Sequence, residues 1–201
     1  MASTFTRYNR RIHMYLGLFL VPWILMYTFS SLVFNHFGTI RGWYGGNLNV
    51  YEKADEIEYK DAFSVDVTPK EAAKQILLDL DRDGPHLIRG HLKDNQFTVI
   101  RQNIYRNTRI IYFPKEGRII IEEQKPQVPG MLTRMHMRHG FQQDYLPMKL
   151  WGLGVEITIL AMLFWIASGV WLWWMIKPAR LWGALSAIAG LGLFGILLFG
   201  L

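Results

Sequence analysis

A run of apolar residues without a charged side chain lies near the start of the chain, at positions 14–34. In a helix, which rises about 1.5 Å per residue, a run of this length crosses the roughly 30 Å hydrocarbon core of a bilayer. A cleavable signal peptide has a shorter apolar region followed by a small-residue cleavage site, and residues 34–39 contain no A-x-A pattern. The run therefore predicts an uncleaved transmembrane helix.

Two further apolar segments lie at the other end of the chain, at 148–176 and 181–201. The first has Glu156 as its only acid, and the second has no charged residue. The connector 177–180 is too short for anything but a tight turn, so we expect the two helices to form a hairpin. The predicted fold class is a membrane protein with three transmembrane helices, whose termini lie on opposite sides of the bilayer.

Basic residues next to the spans set the expected orientation, because such residues are retained in the cytoplasm. They flank the first span and separate the last two: Arg7, Arg10, Arg11, Lys177 and Arg180. Segment 1–36 is thus predicted to hold a cytoplasmic N-terminus and the first helix, whereas segment 37–147 and the C-terminus lie outside. Segment 37–147 has 16 Lys and Arg against 15 Asp and Glu. The net charge of +6 therefore indicates contact with membrane lipids and argues against nucleic acid.

The composition excludes several kinds of site. The chain has no cysteine, so disulfides, iron–sulfur clusters and covalent haem attachment are excluded. It also lacks the glycine-rich motifs of dinucleotide and nucleotide sites, and no nicotinamide or flavin site is expected. No Ser/His/Asp or H-E-x-x-H arrangement indicates a hydrolase. The sequence thus shows no self-sufficient catalytic site.

Segment 37–147 is long enough for one small α+β domain. The motif Thr68-Pro69-Lys70-Glu71 is typical of a capped helix start, since the Thr and Glu side chains can each bond the other's backbone N–H. Ile76, Leu77 and Leu80 then recur at helical spacing. Four strand-like runs follow, at 86–92, 96–102, 108–113 and 118–123. We predict one helix packed on an antiparallel sheet.

Four short segments carry a family resemblance: residues 11–17, 65–73, 108–119 and 168–173. In this order they resemble segments of the PepSY-associated transmembrane helix family. Residues 11–17 are similar to the opening of its first helix, with a histidine, a short gap and Leu-Gly. Residues 65–73 are similar to the start of its PepSY helix, and residues 108–119 to its last hairpin, although Pro114 stands where the family tends to have an acid. Residues 168–173 resemble its characteristic span ending.

The resemblance covers most of the chain and implies a PepSY-like module at about 66–125, in a protein of the bacterial inner membrane. Larger relatives are membrane reductases that hold b-type haem between helix histidines and reduce ferric substrates. This chain lacks their extra helices and flavin domain. We therefore expect an accessory subunit that binds other membrane protein subunits of a larger, redox complex. One alternative is a b-type-haem electron-transfer or ferric-reductase-like protein, and another is a peptidase-regulating module.

The histidines are the candidate haem ligands. His13 and His36 lie about 34 Å apart along one helix and cannot share a haem. His136 and His139 have the spacing of one helical face and are predicted to lie on the same side of the bilayer as His36. Haem ligation by His36 with His136 or His139 is therefore the hypothesis. Two neighbouring arginines would meet the haem propionates: Arg134 and Arg138.

The same histidines have a plainer interpretation as solvated residues at a membrane interface. His13 matches the family motif but has no histidine partner on its own side, so it would bind haem only with another subunit. His86 and His91 belong to the small domain, and we expect both to be surface residues. The sequence leaves metal binding undecided.

Two features of the spans are left with open alternatives. Glu156 lies one or two turns inside the second span, where a carboxylate is costly. It either contacts a proton path or cofactor, or is a neutral acid hydrogen-bonded within the bundle or reaching the interface. The last helix carries small residues at the spacing that lets helices approach closely, and these pack within the hairpin or dock a partner: Gly183, Ser186, Ala187 and Gly190.

Overall fold

The computed structural model describes residues 4–59, 63, 66–92, 94–138 and 140–200. The elements are α1 (Thr4–Asn35), α2 (Phe37–Trp43), β1 (Tyr51–Glu58), α3 (Pro69–Asp79), β2 (His86–Arg89), β3 (Phe97–Arg101), β4 (Thr108–Phe113), β5 (Arg118–Gln124), α4 (Val128–His136), α5 (Leu146–Met175) and α6 (Arg180–Gly200). They divide into two compact units. The helical unit contains the residues up to Ile24 and from Gly154 onward, and the sheet unit contains Leu25–Leu153.

Three helical segments are long and apolar enough to cross a membrane: Thr4–Asn35, Leu146–Met175 and Lys177–Gly200. This confirms the prediction of three membrane-spanning helices at the level of length and composition. The first of them begins ten residues before the apolar run, because the basic segment that precedes the run is also helical. The chain is thus a membrane protein with a separate small antiparallel sheet.

The connector between α5 and α6 is a single 3₁₀ turn, Lys177–Ala179. The indole Nε1–H of Trp173 donates to the carbonyl of Ala179 at 3.1 Å. Nε of Arg180 donates to the carbonyl of Trp174 at 2.7 Å, and the guanidinium lies 4.7 Å from the centre of that indole ring. The expected tight turn is therefore present and is held by side chains on both sides of it.

Beyond the connector, α6 has little contact with the rest of its unit. Among its described residues, four are half-buried and the others are exposed; the four are Arg180, Gly183, Ala184 and Gly195. The contact that the described residues show within this hairpin lies in the first turn of α6, where Gly183 meets Trp173. An apolar helix with this exposure suits a lipid environment.

The sheet has five strands in the order β1-β5-β4-β3-β2, and every neighbouring pair is antiparallel. The prediction of four strands was wrong, because the sequence pattern did not indicate β1. This strand reads YEKADEIE and is exposed along most of its length. Its charged residues give no alternation of apolar and polar side chains, and charge is how edge strands are protected from wrong pairing.

Helix α3 forms as its capping motif predicts. The backbone N–H of Glu71 donates to Oγ1 of Thr68 at 3.3 Å, and the N–H of Thr68 donates to the Glu71 carboxylate at 2.9 Å. The Thr68 hydroxyl also donates to this carboxylate, at 2.8 Å, and the backbone bond first and the hydroxyl bond second hold the pKa of Glu71 below its ordinary value of 4.5. The helix ends at Asp79 with Leu80 as its C-cap residue, and Asp81 takes a left-handed φ of 51°.

The core of the sheet unit lies between α3 and one face of the sheet, as predicted. The helix contributes Ala72, Ala73, Ile76 and Leu77, and Leu80 packs at the margin. The strands contribute Phe97, Val99, Ile110, Tyr112, Ile119 and Ile121. At roughly 25 cal/mol per Å² of buried apolar surface, this cluster is the main source of stability for the unit.

Helix α4 was not predicted from the sequence, although its neighbourhood contains the candidate ligands. Its N-cap residue, Gln127, makes no capping bond with its side chain, and the start signal is Pro129 alone. The helix brings Arg134 and His136 into one short element. Their positions therefore follow from α4 and not from the start of α5.

Candidate functional site

His13 of α1 contacts Ser168 of α5 within the helical unit. Nδ1 of His13 lies 2.8 Å from Oγ of Ser168. The imidazole also stacks on the indole of Trp165, with ring centres 5.2 Å apart and planes inclined by 7°. Gly169 permits this approach, because a Cβ there would lie 3.2 Å from Cε1 of His13. Two of the segments that the sequence analysis singled out separately thus pack on each other.

The hydrogen bonds around Ser168 assign the tautomer of His13. The Ser168 hydroxyl donates to the carbonyl of Trp165 at 2.8 Å. Since a hydroxyl has one proton, its oxygen must accept from Nδ1–H of His13. In the neutral ring the lone pair then lies on Nε2. This is how a histidine is oriented when its Nε2 serves as a ligand or proton acceptor.

His136 is held by a second serine in the same way, in the sheet unit. Oγ of Ser30 donates to the carbonyl of Tyr27 at 3.0 Å and lies 2.7 Å from Nδ1 of His136. The rings of Tyr27 and Phe34 meet the imidazole edge to face, with ring centres 5.1 and 5.2 Å away. Because the Ser30 hydroxyl gives its one proton to the carbonyl, its oxygen accepts from Nδ1–H of His136, and the lone pair of the neutral ring lies on Nε2. The chain thus contains two histidine–serine–carbonyl arrangements of one design.

The structure does not bring the other predicted ligands to these positions. His36 is exposed, precedes α2 as its N-cap residue, and has Nε2 3.5 Å from the Asn35 side chain. His139 lies outside the described residues. His91 is exposed, as expected. The expectation for His86 was wrong, because its ring is buried and Nδ1 contacts the carbonyl of Gly84 at 2.9 Å.

The histidines fit haem b only in part. Each serine-held ring presents the tautomer that an axial ligand needs. A bis-histidine haem also needs a second imidazole on the opposite face of the porphyrin. His13 is the only histidine in the sequence of its unit, and His36 and His136 have different hydrogen-bond partners. Among the described residues, none of the contacts of His13 or His136 is with a second histidine.

The two arginines predicted at the propionates differ in their roles. Arg134 bonds the carbonyls of Ile104 and Tyr105 and the side chain of Gln124, at 3.0, 2.9 and 3.0 Å. It fastens the loop between β3 and β4 to the sheet. The Nε–H of Arg138 is buried and has no hydrogen-bond partner among the described residues. Burial lowers the pKa of both guanidinium groups from the ordinary arginine value.

Glu156 is exposed on α5. Within the part of the chain that the structure describes, its carboxylate makes no hydrogen bond or ion pair. No described residue therefore supplies the hydrogen bond within the bundle that was one of the alternatives for Glu156. The nearby polar residue Thr158 is buried and donates its hydroxyl to the carbonyl of Gly154 at 2.8 Å.

The small residues of α6 divide into two groups. A Cβ at Gly183 would collide with the indole of Trp173, so this glycine serves packing within the chain. Ser186 and Ala187 are exposed, and a Cβ at Gly190 would meet no atom within 4 Å. The surface from Ser186 to Gly190 is therefore available to another helix.

No metal cluster is found in the described residues: none of their His, Asp and Glu side chains form a group of three or more that could hold an ion. A comparison of the chain with protein-family models found no match, and neither did comparisons with curated proteins and with solved structures. The geometry of the two histidine sites, Glu156 and the arginines therefore carries the functional argument alone.

Proposed function

We propose that the protein is an accessory subunit of a larger membrane redox complex, with a PepSY-like sheet unit that serves interaction. Glu156 is the observation that carries this proposal. It lies in a membrane-spanning helix, it is exposed, and none of the described residues pairs with it.

The energetic argument concerns lipid. A charged acid at the centre of a spanning helix costs about 2.5–3.5 kcal/mol on insertion scales, so such residues normally face a partner or a polar cavity. The described residues of the helical unit offer Glu156 no such partner. A basic or hydrogen-bonding side chain on a neighbouring subunit would offset the cost.

Helix α6 supports the same proposal. Beyond its first turn it is almost wholly exposed, and four glycines on it leave open space: Gly190, Gly192, Gly195 and Gly200. In lipid, helices associate through close van der Waals contact, which small residues permit. The exposed part of α6 is a surface suited to a second helix.

The test is co-purification from membranes in mild detergent. Glu156→Leu is expected to release the chain from the larger complex, whereas Glu156→Gln, which keeps hydrogen-bonding capacity, should retain part of it. Gly190→Leu should weaken the association while leaving insertion intact. Leu160→Ala is the matched control, because it changes an exposed residue one turn further along α5. Wild-type protein that is extracted as an isolated chain, with no partner, would overturn the proposal.

Electron transfer through b-type haem is the second candidate function. It is favoured by the serine-held tautomers of His13 and His136, each with a free Nε2. Because no described histidine contacts His13 or His136, this proposal places the opposing axial ligand on the partner subunit. In the purified complex, a reduced-minus-oxidised spectrum is expected to show low-spin haem b.

The haem assignment has its own controls. His13→Ala or His136→Ala should each remove the spectrum of the haem that this residue ligates, whereas exposed His91→Ala should leave it unchanged. A complex without colour, isolated from haem-replete cells, would refute electron transfer while leaving the accessory role untouched.

A further inference from the structure

A polar cavity of about 150 Å³ lies in the sheet unit, between the β3–β4 loop, the end of α4 and the start of α5. Its lining residues are two arginines, two asparagines, two glutamines and two methionines, and they include no acid. The volume equals several water molecules, at roughly 30 Å³ each. The cavity is thus large enough for a small ligand, and its charge is positive.

Among the described residues, no acid forms an ion pair with either arginine of the cavity. Arg134 uses its bonds on neutral carbonyl and amide oxygens, and Arg138 has a buried Nε–H without a partner. Other arginines of the same unit behave differently, since each pairs with a glutamate: Arg82, Arg106, Arg109 and Arg118. An unpaired guanidinium that is partly withdrawn from water is costly unless an anion meets it.

The asparagines of the cavity add neutral donors. Oδ1 of Asn103 accepts from the backbone N–H of Tyr105 at 2.8 Å. Oδ1 of Asn107 accepts from the backbone N–H of Asn103 at 2.9 Å. These backbone donors fix the orientation of both amides, because only the oxygen can accept. Backbone N–H groups of the loop thus occupy the amide oxygen of each asparagine. These bonds do not use the NH₂ groups, so the asparagines can donate to a ligand in the cavity.

We propose that this cavity binds an oxyanion of the phosphate class, held by Arg138 and Arg134 with the amide groups of Asn103 and Asn107. Forked guanidinium groups match the geometry of phosphate oxygens and bind them in pairs. Two sources share this chemistry, a phospholipid headgroup and free phosphate. Met148 lies in the first turn of the spanning helix α5 and also lines the cavity, which favours the headgroup.

The test uses the purified, full-length chain in an uncharged detergent and follows its thermal unfolding. One arm adds sodium phosphate, against sodium chloride of equal ionic strength. The other adds phosphatidylglycerol, which is anionic, to the micelles. Its control is phosphatidylcholine, whose headgroup is zwitterionic. A ligand that binds the folded state raises the unfolding temperature in proportion to its occupancy. The experiment needs neither haem nor a partner, so its result is independent of the proposed function.

Arg138→Gln is expected to weaken the apparent affinity at least tenfold. Arg138→Lys keeps the positive charge without the forked guanidinium and should weaken the affinity less. The unfolding temperature of this variant without ligand is the check that the fold is kept. Arg89→Gln removes the same charge from an exposed position and should change nothing.

Stabilisation by phosphate alone, or by both ligands, identifies a site for a free oxyanion. Stabilisation by phosphatidylglycerol alone identifies a headgroup site. The proposal is overturned if neither ligand stabilises the protein, or if Arg89→Gln weakens binding as much as Arg138→Gln.

Discussion

His13 donates its Nδ1–H to Ser168, a residue 155 positions away in the chain, and this bond decides which imidazole nitrogen carries the lone pair. Ser168→Ala leaves that N–H without its acceptor in a half-buried position. We expect a loss of about 1 kcal/mol in the free energy of unfolding, measured by thermal unfolding in detergent. Ser186→Ala, at an exposed position of α6, is the control and should have little effect.

The same substitution should change the tautomer, which nitrogen NMR of labelled histidine reports. In the wild type, the His13 signal is expected to show a protonated Nδ1. In Ser168→Ala the ring is free to populate the other tautomer. A wild-type signal with the proton on Nε2 would contradict the assignment.

Gly152 on α5 lies against Gly140 and Phe141, and the contact leaves no room for a methyl group. A Cβ on Gly152 would lie 2.8 Å from the Phe141 ring and 3.0 Å from the Cα of Gly140. Backbone cannot rotate away as a side chain can, so Gly152→Ala should cost about 1–3 kcal/mol of stability. Gly154→Ala places its Cβ at an ordinary 3.6 Å from Trp23 and is the control. Equal unfolding temperatures for the two variants would show that this loop does not pack as described.

The two ends of the small-residue surface on α6 should respond differently to alanine. Gly183→Ala collides with the Trp173 indole and should break its bond to Ala179, which loosens the connector. Gly190→Ala fills open space and should be neutral for the isolated chain. Limited proteolysis at the connector is the measurement, and faster cleavage is expected only for Gly183→Ala. If both variants are cleaved like the wild type, the Trp173 contact does not hold the turn.

The capping bonds of Glu71 give the sheet unit a pH dependence. Because the folded pKa of this carboxyl lies below 4.5, the bonds stabilise the fold fully above that pH and are lost as the pH falls through the folded pKa. The unfolding temperature should therefore decrease on the acid side, and Glu71→Gln should flatten that part of the profile. Asp66→Asn, at an exposed position before the helix, serves as the control. A profile that Glu71→Gln leaves unchanged would exclude this linkage.

Local patterns predicted the parts of the fold that depend on neighbours in sequence. Charge-free runs predict spanning helices because a bilayer requires about twenty apolar residues, and the Thr68–Glu71 motif predicts its helix because both cap bonds form within four residues. Strand β1 was missed since its only partner, β5, lies far along the chain and its side chains are charged. No local pattern reports such a pairing.

The candidate site was predictable only as separate pieces. The sequence singled out His13 and Ser168 in different segments, and nothing local indicates that they touch. His136 was a candidate ligand, but its partner Ser30 looked like any small residue of an apolar run. His86 was misjudged because a distant segment contacts it: the side chain of Gln143 accepts the backbone N–H of His86 at 2.9 Å. Each of these contacts joins distant segments, which spacing alone cannot reveal.

The pairing of β1 with β5 also sets the order in which the sheet unit can be completed. Tyr51 faces Gln124 and Glu58 faces Arg118, so β1 has no strand to join until the hairpin of β4 and β5 exists. During synthesis from the N-terminus, β1 therefore waits while α3 and three other strands are made. Its charges keep it in water during that interval. The last strand of the sheet to be synthesised, β5, is the one that pairs with the first, β1. The sheet is therefore completed in a single late step.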